Sequence, residues 1–221
     1  MVYSAQNIAA TLFLLTALLQ ACDTGAEKEA LPYYNSGDFT PQFFSHTEAE
    51  KKIPHRVEGI QGIDQHDRQV RDILVKGKIH VANFFFASCG SICPTMQEHL
   101  AEVVNHFSGD QEVVFLSFSV TPEKDSVQAL QQYVAHHGYT SPQWHFITGN
   151  RDSIYALARN AYFADAETGV RVGTDNVLHT EHVLLVDKNG RIRGIYNGTL
   201  ETEMQQLQID IQTLLAATPG A

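Results

Sequence analysis

Apolar positions along the chain fall into two alternating rhythms between residues 81 and 215. Val81-Ala-Asn-Phe-Phe-Phe86 has the length and aromatic content of a buried strand, and Ala87-Ser88 offers a turn after it. Met96, Leu100, Val103, Val104 and Phe107 then recur at three- and four-residue steps, as one apolar face of a helix does. Pro94 suits the first position of that helix, where its missing N–H would have had no intrahelical partner. The same alternation predicts a strand from Val113 to Val120, a helix from Lys124 to His137, a strand from Trp144 to Ile147 and a helix from Arg151 to Tyr162. The end of the chain differs. Val183 to Val186 and Ile192 to Tyr196 flank Asp187-Lys-Asn-Gly190, a hairpin signal, and Met204, Leu207, Ile211, Leu214 and Leu215 mark a last amphipathic helix.

Strands that alternate with helices imply a mainly parallel sheet covered on both faces, to which the hairpin adds an antiparallel pair. From Phe39 to Ile63 the pattern is irregular, and short apolar pieces such as Phe43-Phe44 and Val57 suggest an N-terminal hairpin extension. With 221 residues and 43% hydrophobic content, the chain can bury a full core in one domain of about 150 to 180 residues plus extensions. A formal net charge of −10 argues against nucleic acid or anionic lipid as the main partner, because either would repel this surface.

The chemistry concentrates at Cys89-Gly-Ser-Ile-Cys93-Pro94, two thiols set where a strand feeds a helix start. The free N–H groups and dipole of a helix start favour negative charge, so a thiolate there is expected below the free value of about 8.5. A thiolate is the nucleophile of disulfide exchange and also the ligand that soft metals prefer, so the pair alone permits both. Strands and helices in this order, with a dithiol at the first core helix and a closing hairpin and helix, predict an α/β, thioredoxin-like domain: a central mixed sheet flanked by helices. A thioredoxin carries a cis-proline just before the hairpin's first strand, yet no proline occurs between Pro142 and Pro219. His179-Thr-Glu-His182 occupies that approach instead.

The N-terminus reads as targeting information. Ile8 to Ala21 is apolar apart from Thr11, Thr16 and Gln20, too short to span a bilayer but suited to a signal-peptide core. Leu19-Gln-Ala-Cys22 resembles the bacterial lipoprotein signal, although no Lys or Arg precedes Lys28. That resemblance implies lipidation at Cys22 and a membrane-anchored protein of the cell envelope, facing the periplasm or exterior. The expected organisation is a signal peptide at 1–21, a tether at 22–38 and the domain at 39–221.

Cys89, Cys93 and His179 together resemble the motif of the Sco/SenC family of copper-binding proteins. The likeness runs from about Phe39 to the C-terminus. It includes the apolar strand, Cys-x-x-x-Cys-Pro, Ser119-Val-Thr-Pro-Glu-Lys-Asp125, and His179 eight residues before Asp187. It implies a domain held at a membrane that binds Cu(I) or Cu(II) through Cys89, Cys93 and His179. It also implies support of cytochrome c oxidase copper-centre assembly, with a copper-centre subunit or another copper recipient as partner. Two positions depart from the pattern: Gly90 stands where many relatives have Pro, and Thr121 where they commonly have Asp, leaving Glu123 and Asp125 as substitute carboxylates.

Soft thiolates suit Cu(I), an imidazole suits either copper state, and three ligands leave an open position for transfer, whereas structural zinc normally takes four. His182 is the rival imidazole. The remaining histidines read as surface or packing residues. The leading function is therefore a metallochaperone, a binding role rather than turnover. The alternative is a thiol-disulfide oxidoreductase in which Cys89 attacks and Cys93 resolves.

Overall fold

A computed structural model of the chain describes residues 31–164, 178 and 180–217. The leader, Cys22 and His179 lie outside the described residues. In chain order the elements are α1 (His46–Lys52), β1 (Gln61–Asp64), β2 (Gln69–Arg71), a 3₁₀ turn (Asp72–Leu74), β3 (Ile79–Phe85), α2 (Ile92–His106), β4 (Val113–Ser119) and α3 (Val127–His137). They continue with β5 (Trp144–Thr148), α4 (Arg151–Ala156) running into a π-helical turn (Leu157–Ala161), β6 (His182–Val186), β7 (Ile192–Asn197) and α5 (Glu201–Ala216).

The seven strands form one sheet in the order β2-β1-β5-β4-β3-β6-β7. β3, β4 and β5 run parallel, while β6 and β7 pair antiparallel beside β3. This is the expected thioredoxin-like α/β arrangement. The N-terminal hairpin exists as β1–β2 at residues 61–71, beginning at the end of the stretch that suggested it, and it pairs antiparallel with β5 at the sheet edge.

Alternation along the strands divides the core into two layers. Val81 and Phe85 of β3, Phe115 of β4, Phe146 of β5 and Val183 of β6 pack with both cysteines under α2, α3 and α5. Ala82 and Phe84, Leu116 and Phe118, and Leu184 and Val186 face the other way, under α4 and its π turn. All seven residues of β3 and all seven of β4 are buried, which is why these strands are largely apolar rather than alternating.

Helix ends follow local chemistry. Ser126 and Asn150 accept from the backbone N–H three residues on, capping α3 and α4, and α3 stops at Gly138 in the left-handed region (φ 70°). α1 carries a capping box between Ser45 and Glu48. The hairpin turn before β7 is held by the Asp187 carboxylate, which accepts from Asn189 N and Arg191 N at 2.9 and 3.0 Å. Arg191 itself is fully buried, and its Nη2 lies 2.7 Å from Glu50 of α1, a close ionic contact joining that helix to the hairpin.

Residues 31–38, read from sequence as the end of the tether, pack on the domain. Tyr33 is buried, Tyr34 N donates to Ile192 O at 3.0 Å, and the carbonyls of Leu31 and Pro32 accept from Arg193. Among the described residues no helix is long and apolar enough to cross a membrane.

Candidate metal centre

β3 delivers the chain to the site, and a short loop turns it into α2. Cys89 N donates to Phe86 O at 3.1 Å, closing the turn that presents the first thiol. α2 begins at Ile92, two residues earlier than Pro94 suggested, so Cys93 is its second residue and Pro94 its third. The proline still falls within the first turn, where an N–H has no intrahelical acceptor.

Both cysteines are free and buried, Cys89 8% and Cys93 4% exposed. They belong to the layer that contains Phe85, Met96, Leu130 and Trp144, with Phe86, Ala87 and Ile92 packed at its margin. This overturns the expectation of a depressed thiol at Cys93. Burial, reinforced by a hydrogen bond with Cys89, pushes its pKa up to about 12 and outweighs the helix start. The reduced pair is thus a hydrogen-bonded pair of sulfurs in an apolar setting, with Cys93 held as a thiol until a bound metal takes its proton's place.

Asp125 fixes the loop from behind. Its Oδ2 accepts from Ala87 N at 3.1 Å, Ser119 Oγ at 2.6 Å and Thr121 Oγ1 at 3.1 Å, and the residue is 3% exposed. One carboxylate oxygen therefore ties the loop before Cys89 to the end of β4. Thr121, the departure noted in the sequence, supplies one of those donors, where an aspartate would bring a second carboxylate against the first. Glu123, the other substitute, points to Arg151 at 3.5 Å, in an exposed ion pair. Replacing Asp125 with Ala strands three donors and is expected to cost about 2–4 kcal/mol, read as a lower denaturation midpoint of the reduced protein.

Gly90 is exposed, its φ is not in the left-handed region, and a Cβ there would meet nothing within 4 Å. The glycine is therefore not sterically required. Gly90→Ala is expected to stabilise the reduced protein by about 0.4–1 kcal/mol through the unfolded chain, seen as a raised thermal midpoint.

Tyr133 borders the thiols from α3, 5.5 Å from the Phe85 ring. Burial first, then Tyr139 and both cysteines, push its hydroxyl pKa upward. It was not singled out by the sequence, because its position beside the cysteines is a product of how α3 crosses the sheet.

The two imidazoles before the hairpin are treated differently. His179 lies outside the described residues, but its neighbours Leu178 and Thr180 are buried, 6% and 2% exposed. His182 opens β6 and packs edge-on to Phe39 at 5.4 Å. By strand alternation it shares the face of Leu184 and Val186, opposite Val183 and the cysteines. Among the described residues no three His, Cys, Asp or Glu side chains converge as a ligand cluster. Three other histidines have packing roles: His80 Nε2 lies 3.0 Å from Tyr162 Oη, His145 Nδ1 lies 3.0 Å from Asp64, and His99 Nδ1 lies 3.1 Å from Gly198 O.

The SCO1/SenC family model matches residues 51–216. The SCO1 protein homolog of Bacillus subtilis (strain 168) is 27% identical over 163 residues, spanning 73% of this chain and 83% of the relative. The solved structure of BsSco, described as a member of the Sco family of cytochrome c oxidase assembly proteins with a disulfide switch, superposes with a TM-score of 0.62 at 26% identity, covering 74% of this chain and 95% of that one. The structure of Bradyrhizobium japonicum ScoI with copper bound has the same fold, with a TM-score of 0.56 at 24% identity over 70% of this chain and 96% of that one. Because the family model takes in the sheet, the dithiol and the approach to β6 in one continuous match, the chain belongs to the SCO1/SenC family.

Proposed function

We propose that the protein is a copper metallochaperone, binding copper through Cys89, Cys93 and His179 and supporting assembly of a cytochrome c oxidase copper centre. The observation that carries this reading is the buried, mutually hydrogen-bonded pair of thiols at the start of α2. Two soft sulfur donors joined by a hydrogen bond, in a buried apolar layer, suit Cu(I) far better than a hard cation. A third, imidazole donor makes a trigonal site with an open position through which the metal can pass to a recipient. The copper-bound relative and the oxidase-assembly relative support the cargo and its destination.

The membrane anchor is part of the same proposal. Lipidation at Cys22 would hold the domain at the outer side of a membrane, where an oxidase copper centre must be supplied. Labelling of the protein with a radioactive fatty acid, lost in Cys22→Ala, tests it.

The same thiols favour a second reading, thiol-disulfide exchange, which the disulfide switch of the relative supports. One experiment separates the two. The copper-loaded protein is mixed with the apo copper-centre domain of an oxidase, and the metal-free reduced protein with the same domain in its disulfide form. The chaperone reading expects about one copper to move per chain. Retention of the copper, together with reduction of the acceptor disulfide, contradicts it in favour of the oxidoreductase.

A further inference from the structure

We propose that Gln97 is a positioning residue for the Cys93 sulfur, donating a hydrogen bond to it once that sulfur carries the charge of a metal-bound thiolate. The inference deepens the copper reading and rests on Cys93 as a ligand.

The buried residues of α2 are Cys93, Met96, Gln97, Leu100, Val103 and Val104, the stripe that faces the sheet. Gln97 is the polar exception. It is 0% exposed, and among the described residues neither its Nε2 nor its Oε1 has a hydrogen-bond partner. A buried carboxamide unmet at both ends is destabilising, and an apolar side chain of the same size would be better tolerated there.

The sheet beneath does not answer the amide. Asn83 of β3 is buried between Val81 and Phe85, on the side of the cysteines. Its Oδ1 accepts from Ser117 Oγ at 2.6 Å, and Ser117 Oγ accepts from Trp144 Nε1 at 2.9 Å. What is left over on Asn83 is Nδ2, a donor, again without a partner among the described residues. Asn83 lies level with the second turn of α2, because a side chain at Gly198 would strike both Met96 and Val183, and Val183 pairs with Asn83. Its spare N–H groups suit the Gln97 carbonyl, but a donor cannot satisfy a donor. The Gln97 N–H groups therefore find no acceptor on that residue.

The acceptor on the helix itself is Cys93. Residues four apart share a face, and a long helical side chain leans back toward the N-terminus, which directs Gln97 over the turn that holds Cys93. A thiol sulfur is a weak acceptor, and Cys93 is already hydrogen-bonded with Cys89, so the reduced pair leaves the amide unused. A metal-bound thiolate is a charged acceptor, and hydrogen bonds to charged groups are about twice as strong. Such a bond draws charge from the sulfur and favours the electron-rich Cu(I) over Cu(II).

Gln97→Met keeps the volume and removes the donor, while Leu100→Met alters packing in the same stripe without touching a donor. Wild type and both variants are compared as full-length chains. Cu(I) affinity, the Cu(II)/Cu(I) potential and the charge-transfer spectrum of the Cu(II) form are measured, with urea denaturation of the metal-free reduced proteins alongside. Gln97→Met is expected to weaken Cu(I) binding by about tenfold with Cu(II) binding nearly unchanged. That ratio lowers the potential by about 59 mV for one electron, and the charge-transfer band moves to lower energy. The metal-free variant is expected to be at least as stable as the wild type, and Leu100→Met to leave potential and band in place. An unchanged potential and band in Gln97→Met, or equal shifts in both variants, would overturn the role. A wild type without charge-transfer bands would instead sink the ligand reading, and the proposal with it, so the two failures are read from different proteins.

Discussion

Replacing Cys93 with serine is expected to weaken Cu(I) binding by roughly two orders of magnitude while leaving the fold in place. A structural four-ligand metal site in a small domain contributes about 10–16 kcal/mol, so one ligand corresponds to roughly 3 kcal/mol, or a factor of about one hundred in affinity. Serine retains the size of the side chain but offers a hard, weakly acidic oxygen in place of a sulfur. The loss should be greater for Cu(I) than for a harder ion such as Zn(II), because it is the softness of the donor that is removed. Competition against a chelator of known affinity checks this. An unchanged Cu(I) affinity in Cys93→Ser would remove the dithiol from the copper site.

Acid should destabilise the protein through a buried residue on the opposite face of β3 from the cysteines' layer. His80 on β3 is 1% exposed, with Nε2 3.0 Å from Tyr162 Oη and, among the described residues, no partner for Nδ1. Burial drives its pKa down to about 3, so the folded protein holds it neutral where the unfolded chain protonates it near pH 6.5. The folded-state pKa is depressed, so the contribution to stability is complete above about pH 6.5 and is lost progressively as the pH falls toward 3. At about 1.4 kcal/mol per pH unit, this group alone removes about 3 kcal/mol by pH 4. His145 acts in the same direction, because burial lowers its pKa against the opposing pull of Asp64. Asp64 adds a later loss: burial raises its pKa, but hydrogen bonds from Arg68 and His145 outweigh that and bring it to about 2, so its share disappears only as the pH drops from the ordinary carboxylate range toward 2. Chemical denaturation from pH 7 to pH 4 should show a clearly shallower pH dependence for His80→Gln than for the wild type. Parallel curves for the two proteins would mean that His80 does not carry the effect.

The core of the fold was legible because its pieces are locally self-consistent. β3 and β4 are buried on both faces and appear in the sequence as largely apolar runs, interrupted only by His80, Asn83, Ser117 and Ser119, and the helices between strands keep the helical period. Asn189-Gly190 announced the β6–β7 hairpin, and Gly190 does occupy the left-handed region there (φ 77°). The edge was harder to read. β1 and β2 have four and three residues, each with exposed polar positions, and only pairing with β5 makes them strands. α1 had a local signature, the Ser45-x-x-Glu48 capping box, but little apolar periodicity behind it.

The site divides along the same line. The dithiol was visible because its two members are close in sequence. The high pKa of Cys93 was not, because the dipole of a helix start is a local property and burial a tertiary one. Asp125 was noted only as a spare carboxylate. Its role as the clamp of the Cys89 loop requires β3 and β4 to end side by side, which sets Ala87 N against its Oδ2.

Anaerobic copper titration of the reduced full-length chain tests for a site of two sulfurs and one nitrogen that holds a single copper. The expected result is saturation at one copper per chain, thiolate-to-copper charge-transfer absorption in the Cu(II) form, and hyperfine coupling to a single imidazole nitrogen that is lost in His179→Ala. Saturation without charge-transfer bands, or an unchanged nitrogen signal in His179→Ala, would contradict it.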